Sequence, residues 1–207
     1  GSRKNSGDNT PALLTVDLIP GNTVSVYVSA KGGGSENKAK FAVLNPSDSV
    51  ADWVVETVEK LGAGWCPPGI LGIGVGGSSD RAMAMAKKAL NDPLDMQALL
   101  KNGPKNNSEE LRIEIYERVN ALGIGAQGLG GVTTVLDVKL KSFPTHAASL
   151  PVGLIPNCAA TRHLHFTLDG TGVPKFETPD LEAWPEILLD EANKNARRVN
   201  VDLSLIH

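Results

Sequence analysis

The chain has 207 residues, and its 20 Lys and Arg against 23 Asp and Glu leave a formal net charge of -3. This length can bury a sizeable core, while the interspersed charge provides no basic stripe for nucleic acid and no polybasic membrane anchor. No apolar run approaches the roughly 18 residues of a membrane span, and two cysteines are too few for a disulfide scaffold.

No signal peptide opens the sequence, so a cytoplasmic protein is expected, with no nucleic-acid or membrane partner. Gly1-Ser2 reads as a cloning remnant, which leaves residues 3–207. Leu13 to Ile19 and Thr23 to Ala30 predict two strands joined at Pro20-Gly21-Asn22, a hairpin signal. A Gly-rich turn at residues 31–38 leads to a short strand, Phe41 to Leu44. Val50, Trp53, Val54, Val58 and Leu61 recur with helical spacing after Ser47, a suitable N-cap, and Gly62 ends the helix.

Ile70 to Val75 has strand length, and a helix over Arg81 to Leu90 follows the Gly76-Gly77-Ser78-Ser79 turn. A polar loop is expected from Asn91 to Asn107. Leu111, Ile115, Val119 and Leu122 then mark a helical stripe that ends at a second Gly-rich stretch, residues 123–131. Val132 to Leu140 predicts a strand with Leu136, Val138 and Leu140 opposite Asp137 and Lys139. Leu164 to Leu168 and Val173 to Phe176 read as a hairpin, Leu181 to Val199 as mostly helical, and the stretch from Val199 as a final strand. Mixed strands, packed helices and Gly-rich turns define an α/β (α+β) fold with mixed sheets.

Between the predicted strands lies Phe143 to His163, whose Pro144, Pro151 and Pro156 argue against a continuous helix or central strand. It holds His146, Cys158 and Arg162, reactive groups on a stiffened loop. His146 is either a hydrogen-bonded core histidine or an acid, base or carboxylate clamp. Cys66 and Cys158 are either small buried hydrophobes or thiolate ligands; their spacing does not suit a zinc finger but does suit an iron–sulfur cluster fed from distant loops. Gly72-Ile-Gly74-Val-Gly76-Gly77 satisfies the dinucleotide pattern G-x-G-x-x-G, yet the glycines lie inside the strand, where close backbone packing explains them better. The three Gly-rich turns can present backbone N–H groups to anions.

Four segments together, Ala30-Lys-Gly-Gly-Gly-Ser-Glu-Asn-Lys38, Cys66-Pro-Pro-Gly-Ile70, Gly123-Ile-Gly-Ala-Gln-Gly-Leu-Gly-Gly131 and Pro144-Thr-His-Ala-Ala-Ser-Leu-Pro-Val152 with Cys158, resemble the class I, iron–sulfur-dependent fumarate hydratases and the related L-tartrate dehydratase α subunits. The resemblance spans almost the whole chain from Arg3. It implies a hydro-lyase acting on a dicarboxylate, fumarate and L-malate in the tricarboxylic acid cycle or else tartrate, at the open iron of a [4Fe–4S] cluster. Cys66 and Cys158 match two of the three ligands, His146 the active-site histidine, and Gly33, Gly34, Ser35 and Gln127 lie in turns that would hold substrate. The family's first ligand segment and its C-terminal β domain or β subunit find no match here. The expectation is therefore a partial α domain, inactive alone, of a homo- or hetero-oligomer. The alternative is a non-catalytic dicarboxylate-binding or interaction subunit of the same fold.

Overall fold

A computed structural model describes residues 4–8, 12–160, 162–173 and 175–176. The mixed α/β class is as expected, and the chain divides into two compact units, residues 27–164 and residues 1–26 with 165–207. The first is built on a four-stranded sheet in the order β2-β5-β3-β4. Its strands are β2 Lys40–Leu44, β3 Gly69–Gly76, β4 Val135–Phe143 and β5 Leu150–Cys158. β3 is parallel to β4 and antiparallel to β5, which is antiparallel to β2. A parallel pair needs a long crossover, and the chain supplies it as three helices, α3 Ser79–Ala89, α4 Met96–Asn102 and α5 Asn107–Ala121.

Alternation along the strands sends successive side chains to opposite faces. Leu71, Ile73, Val152 and Leu154 meet Met96 and Leu99 of α4, Ile115 and Val119 of α5, and Ala51, Val54, Val58 and Leu61 of α2, which spans Val50–Leu61. On the other face the strands present Gly72, Gly74 and Gly153, and α3 packs there through Ala82 and Ala86. A Cβ on Gly74 would fall 2.8 Å from Ala86 N and nearer still to Ala82 O. Gly72 and Gly74 of the dinucleotide-like pattern thus seat a helix directly on the strand. Arg81, in the first turn of α3, stacks over the Phe143 ring at 3.4 Å and ties that helix to the end of β4.

Several sequence expectations are corrected. Pro151 and Pro156 lie within β5, an internal strand. Each sits where β5 has a neighbour on one side only: Pro151 pairs with Val43 of β2 before the β3 ladder begins at Val152, and Pro156 pairs with Leu71 of β3 after the β2 ladder ends at Leu154. Their odd spacing turns the two ring nitrogens to opposite sides of the strand, so neither removes a needed donor. The loop expected over 143–163 shrinks to residues 144–149.

The Asn91–Asn107 loop contains α4. Its start is fixed by Asp137, fully buried, which accepts from Asp95 N at 2.8 Å and Met96 N at 3.1 Å. Lys139, also buried, reaches Asp95 at 2.5 Å and Asp137 at 2.9 Å, while Arg112 donates to Asp95 and to the Val138 carbonyl. Val138 and Leu140 pack in the core opposite Asp137 and Lys139 as expected, but Asp137 and Lys139 are buried as well, while Leu136 is partly exposed. A closed ion network satisfies both charges, which hydrophobic alternation cannot register.

α2 is capped by Ser49, whose hydroxyl accepts from Asp52 N at 3.1 Å, rather than by Ser47. Residues 12–19 form no strand; their apolar side chains are exposed, and alternation without a covering face does not make one. β1 Val24–Ala30 instead joins β6 Arg162–Leu168, and β6 pairs antiparallel with β7 Lys175–Phe176, the hairpin expected there. The helix expected over Leu181 to Val199 and the strand after it lie outside the described residues. No helix among the described residues is long and apolar enough to cross a membrane.

Candidate functional site

Cys66 and Cys158 are brought to one end of the sheet. Cys158 closes β5 and pairs with Gly69, the first residue of β3, only three residues beyond Cys66. Both thiols are free; Cys66 is exposed and Cys158 half-buried. Ala159 N–H donates to the Pro68 carbonyl at 3.2 Å and laces the two cysteine segments together. The Pro67–Pro68 bond is cis, and Cys66 holds a left-handed φ of 61°. Gln127 lies beside them in a tight turn at residues 126–128. Its backbone N–H donates to the Pro67 carbonyl at 2.7 Å and its side-chain amide to the same oxygen at 3.3 Å.

A third segment reaches the same end. The short helix α1, Gly33–Glu36, packs on β5, and Gly34 approaches the Gly64 carbonyl closely enough that a Cβ would sit 3.8 Å from it. Gly33 faces open space. The N–H groups of Gly33, Gly34 and Ser35 precede the first intrahelical bond, from Glu36 N to Gly32 O at 3.1 Å. Ser35 is buried, donating its hydroxyl hydrogen to Gly32 O at 3.1 Å and accepting from Lys31 Nζ at 3.0 Å. That hydroxyl positions Lys31 within the chain.

Lys31 is the residue that sequence reasoning passed over. Its Nζ lies 3.1 Å from Glu36 Oε2, and Glu36 also pairs with Lys87. Burial pushes the Lys31 ammonium below its ordinary pKa against the opposing pull of Glu36, and Cys158 is near enough for charge on its sulfur to act on the ammonium. Burial alone would raise the Glu36 carboxyl, but the bonds from Lys87 and Lys31 outweigh it and hold the group below the usual carboxylate range. The signal available in the sequence was a lysine set directly before the glycine run.

His146 is not brought to this end. It follows Phe143, which pairs with Gly76 at the far end of β3 from Gly69, and at ~3.3 Å per residue the strand separates those ends by about 23 Å. There the His146 Nδ1 accepts from Ala148 N at 3.1 Å and its carbonyl from Ser149 N at 3.0 Å. His163 and Arg162, on β6, are exposed, and the His165 ring nitrogen shares a hydrogen bond with Ser25 Oγ at 2.7 Å.

The arrangement offers two free thiols, a half-buried cation and the backbone amides of the first turn of α1 at one sheet end. That donor chemistry fits part of an iron–sulfur ligand set, which uses cysteine thiolates. No group of three or more His, Cys, Asp or Glu converges among the described residues. The model of the fumarate hydratase (Fumerase) family matches residues 2–167. The chain belongs to this family. Among family relatives, a protein of Methanocaldococcus jannaschii, provisionally named L(+)-tartrate dehydratase subunit alpha, is 39% identical over 77% of this chain and 56% of its own length. The L(+)-tartrate dehydratase subunit alpha of Escherichia coli K12 is 32% identical over 77% of the chain and 52% of its own. The chain thus spans about half the length of the curated relatives it matches.

Proposed function

We propose that this chain is the iron–sulfur-bearing part of a hydro-lyase α subunit, interconverting a hydroxy-dicarboxylate and its dehydrated product. The observation carrying this reading is the convergence of two free thiols, Cys66 and Cys158, on one Gly-lined sheet end in a chain of the fumarate hydratase family. Both would ligate a [4Fe–4S] cluster, with the remaining cysteine supplied from elsewhere in the α subunit. When bound, the cluster supplies a Lewis-acidic iron suited to a poor leaving group such as hydroxide.

The chain's own groups supply binding and charge. The amides of Gly33 and Gly34, which precede the first intrahelical bond of α1, would donate to a substrate carboxylate, and the Lys31 cation offsets negative charge gathered beside Cys158. Half-burial of Lys31 strengthens that effect by limiting solvent screening. His146 is given no contact with iron held by its own chain, because the length of β3 lies between them.

Relatives named as tartrate dehydratase α subunits move L(+)-tartrate ahead of fumarate and malate as the first substrate to test, and they support a separate β partner. A thiolate-held cluster also favours a reducing, cytoplasmic setting. The isolated chain is expected to be inactive. The deciding experiment is anaerobic iron and sulfide analysis with visible absorption on the complete α subunit, wild type beside Cys66→Ala and Cys158→Ala. Each substitution is expected to abolish the cluster. A cluster that survives either change would remove that cysteine from the ligand set and the reading with it.

A further inference from the structure

We propose that Gln127 is a positioning residue that holds Cys66 in its ligand geometry. The inference rests on the reading of Cys66 as a ligand, but its geometry stands independently. Cys66 and Gln127 are the two non-glycine residues with left-handed φ, 61° and 55°, among those described. Such residues keep that conformation only where their surroundings over-determine it.

The surroundings of Cys66 are unusual in one respect. The two residues after it are prolines, so the segment has no N–H of its own with which to anchor itself before Gly69. It can be held only through its carbonyls. The Pro68 carbonyl accepts from Ala159 N–H, at the end of β5. The Pro67 carbonyl, immediately after the thiol, accepts both donors of Gln127, backbone and side chain. One N–H of the Gln127 side-chain amide is therefore engaged within the chain itself, on the carbonyl next to the thiol.

The same turn grips the chain on the other side of Cys66. Cys66 N–H donates to Ala63 O at 3.0 Å, and a Cβ on Gly128 would come within 2.5 Å of the Ala63 side chain, so the turn sits directly against that residue. The turn is itself anchored in the buried interior. Gly125 N–H donates to Thr134 Oγ1 at 3.2 Å, and the Thr134 N–H donates to Asn120 Oδ1 of α5 at 2.7 Å. An unbroken chain of contacts runs from α5 through Thr134 and Gln127 to the Pro67 carbonyl, fixing the backbone on which the Cys66 thiol is carried.

The test uses Gln127→Glu, which keeps the side-chain length, loses the donor and sets a carboxylate against the Pro67 carbonyl. Gln127→Gly, which relieves the left-handed strain and keeps the backbone bond, is its companion. Amide hydrogen exchange is followed on the chain without iron, and resistance of the reconstituted cluster to a chelator on the complete subunit. Gln127→Glu is expected to speed exchange at the Cys66 and Ala159 amides by about fivefold or more, the factor one hydrogen bond supports, with Ile115 and Val119 unchanged. Gln127→Gly should have a smaller effect, and cluster loss should quicken in the same order. Acceleration confined to the amides of residues 128–130 would reveal a role only in the turn's own fold and overturn the proposal. Unchanged exchange with a raised KM and unaltered kcat would also overturn it, making Gln127 a substrate ligand. Faster exchange at Cys66 in a protein whose wild type takes up no cluster would uphold the positioning role while removing the iron–sulfur reading.

Discussion

Replacing Gly74 with alanine tests the claim that Gly72 and Gly74 of β3 seat α3. The new methyl carbon would lie 2.8 Å from Ala86 N and closer to Ala82 O, so the obstacle is helix backbone and not the tip of a flexible side chain. Relief requires α3 to move off the sheet, which opens the packing of Ala82, Ala86 and Ala89, all fully buried. Overpacking of a well-filled core costs about 1–3 kcal/mol, and an unyielding backbone contact puts this site near about 3 kcal/mol. For a chain of this size that corresponds to a fall in Tm of roughly 6–12 °C. Urea unfolding followed by circular dichroism measures it as a lower midpoint at unchanged slope. Gly33→Ala is the control, since a Cβ there meets nothing within 4 Å; it should be neutral or slightly stabilising in a helical turn. A Gly74→Ala protein within about 0.5 kcal/mol of wild type, the range of an ordinary surface change, would refute the packing argument. NAD should leave the melting temperature of the wild type unmoved, and a concentration-dependent rise would restore the dinucleotide reading.

Asp137→Ala should cost about 3–5 kcal/mol, because it strips the buried Lys139 of one counter-charge and leaves the first amides of α4 without their acceptor; a loss under about 1 kcal/mol would show that Asp95 alone suffices. Burial would raise the Asp95 carboxyl, but bonds from Arg112 and Lys139 prevail and depress it. A depressed carboxylate contributes stability that is fully present above its unfolded pKa of about 4 and is lost as pH falls through the lower folded value. Chemical denaturation from pH 6 to pH 3 should therefore show a steeper decline in wild type than in Asp95→Asn, and parallel curves would contradict the sign. His146→Asn should leave cluster content and visible absorption of the complete subunit unchanged, and loss of the cluster would bring His146 into contact with the iron site after all.

What the sequence determined by itself is whatever depends on near neighbours in the chain. The stripe Val54, Val58 and Leu61 announces α2, the stop at Gly62 ends it, and Val50's capping serine is misread by only two residues. The four motif segments sufficed for the family, and with it the pairing of Cys66 with Cys158 as candidate ligands. Tertiary structure decided what depends on distant partners. Pro151 and Pro156 are admitted to an internal strand because β2 and β3 flank β5 over different lengths. Asp137 and Lys139 can be buried because Arg112 and Asp95, tens of residues away in sequence, complete their charges. The candidate site divides the same way. Cys66, Cys158 and the glycine run could be named from their types, but only the register of β3 on β5 gathers them, and only the length of β3 sets His146 apart. Lys31 and the two hydrogen bonds from Gln127 to the Pro67 carbonyl have no local signature, since burial and a shared acceptor exist only once the chain has folded.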